Sequence, residues 1–278
     1  MATSGLCFVG VYVGTKWVGT RLPAVETAFL RYVLGLVYLL PVIGILRREG
    51  LSRPVLGDGI KRAIVHSCAV TLWFYAMARL PVAEVSAMGY LSPVFVTICA
   101  VVMLGERFAL RRALAILVAI IGVLVILRPG FREISLGHLA MLGTTLCFGF
   151  SYVFAKRLTG MASTDMVVAL LSVGVTIGLA PAAIWFWVWP TGGELALLFM
   201  IATFATAGHY TMTFAFRAAP LGVIQPVGFL QLVWSVLTGY LLFNEGIDGF
   251  VIIGGLVIVA AVGYITWREA QLNKDQST

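Results

Sequence analysis

The sequence predicts an all-α integral membrane protein with ten transmembrane helices, arranged as two inverted-topology repeats of five. Three observations carry that prediction: a composition suited to lipid, ten apolar runs of crossing length, and a short phrase written twice, half a chain apart. Sixty per cent of the 278 residues are hydrophobic, 11% are charged and the mean hydropathy is +1.01. Soluble domains carry roughly a quarter of their residues as charges, so this chain lacks the shell that water requires. The formal net charge of +7 then reads as a topology signal and not as a nucleic-acid surface.

Each span is justified by an apolar stretch near the ~20 residues that cross a hydrocarbon core. The first, about 5–20, holds Tyr12 and Lys16. The second, about 24–46, opens near Glu26 and carries Arg31. The longest connection, RREGLSRPVLGDGIKR (47–62), is basic and punctuated by Gly and Pro. The third span, about 62–79, carries His66, Trp73 and Tyr75; the fourth, about 83–103, carries Glu84, Tyr90, Ser92 and Pro93. The fifth, about 110–127, includes AILVAIIGVLVIL, apolar on every face. The sixth, about 136–156, ends in Tyr152 and Lys156, and the seventh, about 164–188, ends beside Trp187 and Trp189, which read as interface anchors. The eighth, about 195–216, holds His209, Tyr210 and Thr213; the ninth, about 221–243, holds Gln225, Pro226 and Gln231; the tenth is about 248–267.

With the N-terminus in the cytoplasm, thirteen Lys and Arg fall in inner connections or the C-terminal tail. Only four, Arg21, Arg79, Arg128 and Arg132, fall outside, and Lys16 and Arg31 lie within spans. That bias predicts cytoplasmic N- and C-termini. MATSGLCFVG has no basic segment before its apolar run, which predicts no cleavable signal peptide. The four cysteines lie in apolar segments without CxxC spacing, so neither a disulfide nor a metal site is expected.

The doubled phrase is YVGTK at 12–16 and YVFAK at 152–156. A shift of 139 residues also brings Pro81 onto Pro220, GYL (89–91) onto GFL (228–230), and Glu106 of LGE onto Glu245 of FNE. Five spans per copy is an odd number, so the second copy enters from the opposite face. The repeats are expected at 1–134 and 135–278 within one membrane domain.

The stretch LPVAEVSAMGYLSPVFVTICAVVMLGERF, then GVLVILRPG, together with ETAFLRYVLGLVYLLP at 26–41, resembles the EamA branch of the drug/metabolite transporter superfamily. The resemblance covers essentially the whole chain. It implies two inverted five-helix repeats that move small organic molecules by alternating access. It leaves open amino acids, nucleoside-like metabolites, vitamins, sugars and drugs, and it leaves open direction. The second half departs from the pattern with FNE where LGE is usual.

Candidate substrate-binding residues follow from polar and aromatic groups placed inside apolar spans. They are Tyr90, Ser92, Gln225 and Gln231 beside the helix-breaking Pro93 and Pro226, together with Trp73, Tyr75, Tyr152, His209 and Tyr210. His66 is placed nearer the cytoplasmic end. Each proline removes a backbone donor and leaves a carbonyl that substrate, side chains or water could satisfy. Lys16 and Lys156, each one turn from a tyrosine, are candidate gates or snorkelling anchors. Arg31 is expected to pair with a carboxylate, with Glu26 and Glu84 as candidates.

No GxSxG, HExxH, Walker loop or aspartate cluster is present, so an enzyme is not expected. No cofactor is expected. The partners expected are a small-molecule substrate and the lipid bilayer, with no nucleic acid. The expected function is a secondary carrier of amino-acid-like or amphipathic metabolites in an inner or plasma membrane, with export favoured over import. The alternatives are uptake of a larger molecule, such as a vitamin or nucleoside-like cofactor, and a non-transporting scaffold or channel.

Overall fold

A computed structural model describes residues 1–92, 94, 95, 98, 110–131, 133–218 and 230–275. Among them the chain forms eleven α-helices: α1 (Ala2–Val18), α2 (Ala24–Gly35), α3 (Ile43–Glu49), α4 (Arg53–Met77), α5 (Val82–Gly89), α6 (Leu110–Leu127), α7 (Leu136–Thr159), α8 (Thr164–Trp185), α9 (Gly192–Ala218), α10 (Leu230–Phe243) and α11 (Gly249–Asp275). Pro93, Glu106, Gln225 and Pro226 lie outside the described residues. Four segments are long and apolar enough to cross a membrane: Ala24–Pro41, Leu136–Thr159, Thr164–Trp185 and Gly192–Ala215. Three apolar helices are shorter: Ala113–Leu127, Leu230–Phe243 and Gly249–Tyr264.

Two spans differ in form from the sequence expectation. The second is not one α-helix, because a 3-10 segment, Leu36–Val42, separates α2 from α3. Pro41 lies within it and supplies no N–H. The third begins well before residue 62, since Pro54 stands in the first turn of α4, where a missing donor is harmless.

The bundle leaves apolar side chains outside and buries polar ones within a mainly apolar core. Ser151, Thr144, Ser235 and Glu26 are fully buried, whereas Ile177, Ile184, Leu136 and Leu241 are about two-thirds exposed or more. Lipid solvates such side chains as well as a protein core does, so close backbone packing has to hold the helices together. At the α6–α11 crossing, a Cβ on Gly254 would lie 2.5 Å from the Gly122 carbonyl oxygen, and one on Gly122 would lie 2.8 Å from the Gly254 carbonyl. Only glycine at both positions permits that approach.

The contacts between helices pair up in a pattern. α1 packs along α9 and α4 along α7; α2 meets α8, α6 meets α11, and α5 meets α10.

Candidate functional site

Gln231 Nε2 donates to the Tyr12 hydroxyl at 2.8 Å, joining α10 to α1. The Tyr12 ring lies 5.2 Å from that of Trp73 on α4. Ser86 of α5 and Ser235 of α10 share a 2.5 Å hydrogen bond, with both side chains buried. Tyr90, at the end of α5, is hydrogen-bonded to the Leu232 backbone. Ser92 is buried just beyond it.

A second group sits beside the first. His66 Nδ1 meets Ser151 Oγ at 2.8 Å, and its ring stands edge-on to that of His209 at 5.7 Å. Phe8 and Phe148 flank the two histidines, and Tyr152 stacks on Phe148 at 5.8 Å. Tyr32 of α2 points its ring at His66, 6.3 Å away. The Arg31 guanidinium lies 3.8 Å from the centre of the Tyr32 ring. Arg62 donates to the Val167 carbonyl at 3.1 Å. A crevice of about 10 Å³, room for one water at most, opens among Arg31, Tyr32, Ser172, Thr206 and His209.

The two ends of the bundle are held by charges. At one end, Lys16 Nζ lies 2.9 Å from Glu245 Oε1, while Glu245 Oε2 accepts the Val82 N–H at the start of α5 at 2.8 Å. Asn244, at φ 50, ends α10 and turns Glu245 back onto the bundle. That is a conformation glycine and asparagine adopt readily, and FNE has an asparagine there. Nearby, Arg128 pairs with Asp248, and Arg21 pairs with Glu194 and donates to the Trp189 carbonyl at 3.1 Å. The Glu194 hydrogen bond raises the Arg21 guanidinium above its ordinary range. At the opposite end, Arg157 Nε lies 3.0 Å from Asp58, and Glu49 accepts both the Ser163 N–H and hydroxyl.

The candidates from the sequence therefore divide. Tyr90, Ser92, Gln231, Trp73, Tyr152 and His209 converge on the centre. Tyr75 does not: Arg79 covers its ring at 3.7 Å, near the end of α4. Tyr210 turns to Asp165 at the start of α8. Lys156 is exposed beside Arg157, whereas Lys16 is largely buried in its ion pair. Among the described residues neither Glu26 nor Glu84, the carboxylates expected as partners, lies within ion-pair distance of Arg31, and each makes another contact. Glu26 accepts the Val188 N–H at 2.9 Å, and Glu84 meets His138 at 3.1 Å. His66, expected nearer one end, is central because α4 begins at Arg53. Arg62, read as a topology charge, is buried for the same reason. Tyr32 and Ser151 carried no signal beyond their type.

Comparison with known proteins agrees with this architecture. The profile of the EamA-like transporter family matches twice, over residues 1–128 and 135–267. The chain is 26% identical to an S-adenosylmethionine uptake transporter of Rickettsia prowazekii over 92% of its length and 87% of the relative's. It is 30% identical to a riboflavin transporter of Brucella anthropi, covering 97% of this chain and 98% of that one. It is 28% identical to a pseudopaline exporter of Pseudomonas aeruginosa over 88% and 87% of the two chains. A solved crystal structure superposes with a TM-score of 0.67 at 20% identity, over 97% of this chain and 96% of the other, a likeness of fold. With an apolar exterior, buried polar groups within its core and a family profile that fits both halves, the chain is a multi-pass membrane protein and a transporter, not an enzyme, and it belongs to the EamA-like transporter family.

Proposed function

We propose that the chain is a secondary carrier that moves a small organic metabolite across the bacterial inner membrane by alternating access, through ten helices built as two inverted five-helix repeats, 1–134 and 135–278. The observation that carries this reading is the buried polar and aromatic centre. It draws Tyr12, Trp73, Tyr90, Tyr152, His209 and Gln231 from both halves of the chain. An inverted repeat exchanges α1 with α7 and α4 with α9. The α1–α9 contact then becomes α7–α4, and both contacts are present. The contacts of α2 with α8, α6 with α11 and α5 with α10 map onto themselves. The two separate matches of the family profile fit the same division. The N- and C-termini face the cytoplasm on the Lys and Arg count.

In this reading the Lys16–Glu245 pair closes the outer end, where Glu245 ties α1 and α10 to the first N–H of α5. Repeat symmetry assigns Lys156 and Glu106 the corresponding inner gate. Pro93, Gln225 and Pro226 belong to the same central site on their sequence positions. Relatives named for uptake of S-adenosylmethionine and for riboflavin favour uptake of a nucleoside- or flavin-sized molecule over the export first expected.

Counterflow in proteoliposomes tests the carrier reading. Vesicles preloaded with S-adenosylmethionine or riboflavin should take up labelled outside substrate faster than empty vesicles, with saturation. Uptake that never saturates, or that preloading never stimulates for any metabolite tried, belongs to a channel or a scaffold.

A further inference from the structure

We infer that Arg31 and Arg62, with Tyr32 and His209, form an anion site completed by a carboxylate or phosphate of the transported molecule; this rests on the carrier function proposed above. Arg31 and Arg62 are among the most buried cations of the chain, about 7% and 2% exposed. No carboxylate among the described residues lies within ion-pair distance of either. Arg31 has only the Tyr32 ring as a close neighbour of opposite polarity, and Arg62 has only the Val167 carbonyl. Among the described residues Lys16 and Arg128, the half-buried cations at the Lys16 end, each have a carboxylate. Ionised groups inside a membrane protein are costly and mark the path of substrates or ions when no structural partner exists.

Arg62 Nε and His209 Nδ1 are buried without a hydrogen-bond partner in the same place, and the Tyr32 hydroxyl has no partner besides the Arg31 guanidinium. Tyr32 and His209 line the crevice with Arg31. Arg62 reaches Val167, the residue next to Val168 on the crevice wall. Both guanidiniums are close enough to Tyr32, His66 and His209 to act on them electrostatically. Unsatisfied donors, paired cations and a small polar crevice together describe half of a binding site. A guanidinium fork matches the two oxygens of a carboxylate or phosphate. His209 Nδ1 and the tyrosine hydroxyl would supply further donors, and the rings of Phe8, Phe148 and Tyr152 offer faces for an aromatic body attached to that anion.

The test is thermal unfolding of the full chain in detergent with a panel of metabolite acids, each beside its uncharged counterpart. S-adenosylmethionine is set against its methyl ester, and riboflavin 5′-phosphate against riboflavin; the two arms separate carboxylate from phosphate recognition. The expected result is a Tm that rises with concentration for an acid and much less for its counterpart. Arg62→Gln should weaken that acid's Kd by roughly tenfold to a hundredfold, while Arg62→Lys should retain part of the affinity. Arg31→Lys serves if the Gln variant fails to fold. Equal shifts for acid and counterpart, no acid-selective shift anywhere in the panel, or an unchanged Kd in the arginine variants would each overturn the inference. Counterflow of the same compounds keeps the two readings apart. Charge-selective binding without exchange removes the carrier and leaves the anion site, and exchange of uncharged molecules indifferent to both arginines does the reverse.

Discussion

Removing the Lys16 ammonium should loosen one end of the bundle by an amount the geometry allows to be worked out. Glu245 makes two charge-assisted contacts, to Lys16 Nζ at 2.9 Å and to the Val82 N–H at 2.8 Å. Such a bond contributes about 1.5–3 kcal/mol when well shielded. The two side chains are 18% and 16% exposed, so a discounted value of about 1–2 kcal/mol per contact is appropriate. Lys16→Met keeps the stem and loses one contact, which shifts a closed-to-open equilibrium by roughly fivefold to thirtyfold. Glu245→Ala loses both contacts and should shift it further, by thirtyfold or more on the same scale. Gly239→Ala offers a route that leaves every charge in place, since its Cβ would stand 2.6 Å from Glu245 Oε2 and displace the carboxylate. The reporter is Ser235→Cys in a chain without native cysteines, because Ser235 is fully buried below the pair. Its labelling by a membrane-impermeant maleimide added outside should accelerate in the order Lys16→Met, then Glu245→Ala. Lys156→Met should act in the opposite sense, protecting Ser235→Cys and opening a Ser151→Cys reporter to the inside. Labelling rates that match the parent in all of these variants would make both lysines plain interface anchors and would refute the gate.

Orientation is checked by maleimide labelling in cells. Ser52→Cys should react only from the cytoplasm, and Gly130→Cys and Gly192→Cys only from outside; Asp58 is too buried against Arg157 to report. Substitutions Gln231→Leu, Tyr90→Phe and His209→Leu should each depress counterflow severalfold while leaving the protein folded, because a polar contact inside a membrane bundle averages only about 0.6 kcal/mol; unaltered flux and affinity in all three would move the site elsewhere. Gly254→Ala should destabilise the bundle by about 1–3 kcal/mol through overpacking against Gly122, read as a lower Tm in detergent, and an unchanged Tm would contradict the close crossing. His138→Leu removes the 3.1 Å contact of the buried Glu84 carboxylate and should lower the Tm in detergent, by about 1–3 kcal/mol of stability; an unchanged Tm would make the contact energetically idle.

How much of this was legible in the sequence depended on which kind of information each feature needed. Apolar runs are a one-dimensional property, so the helices α6, α7, α8 and α9 fall where the runs are. In the sequence the proposed repeat rests on letters alone, because Tyr12–Lys16 and Tyr152–Lys156 pair the same residue types at identical spacing. Partner choice was not legible. Glu26 and Glu84 both sit near Arg31 along the predicted spans, yet each is taken by a group about 162 or 54 residues further along the chain. Tyr75 and Tyr210 looked equivalent to Trp73 and His209 by type. Helical phase separates them: two residues on from Trp73, and one on from His209, is a rotation of about 200° and 100°. That turns Tyr75 to Arg79 and Tyr210 to Asp165.

The misreading of Arg62 carries the most consequence. Counted as one of five basic residues in a loop, it served only to orient the chain. The signal that corrects it is present in the letters: Ser52 followed by Arg53-Pro54, with proline in the first turn, marks a helix start ten residues upstream of the apolar run. From that start, Arg62 stands about 13 Å up the helix, one turn below His66 and on the same face. A guanidinium at that depth has no route to bulk water by snorkelling unless it turns towards an interface, and this one is about 2% exposed and bonded to the Val167 carbonyl. A carrier that kept two such arginines solely for its own folding would be expected to supply them with carboxylates, as it does for Lys16, Arg21 and Arg128. That Lys16, Arg21 and Arg128 have carboxylates, while among the described residues the two buried central arginines have only a ring face and a backbone carbonyl, is the asymmetry expected when the missing anion arrives with the substrate.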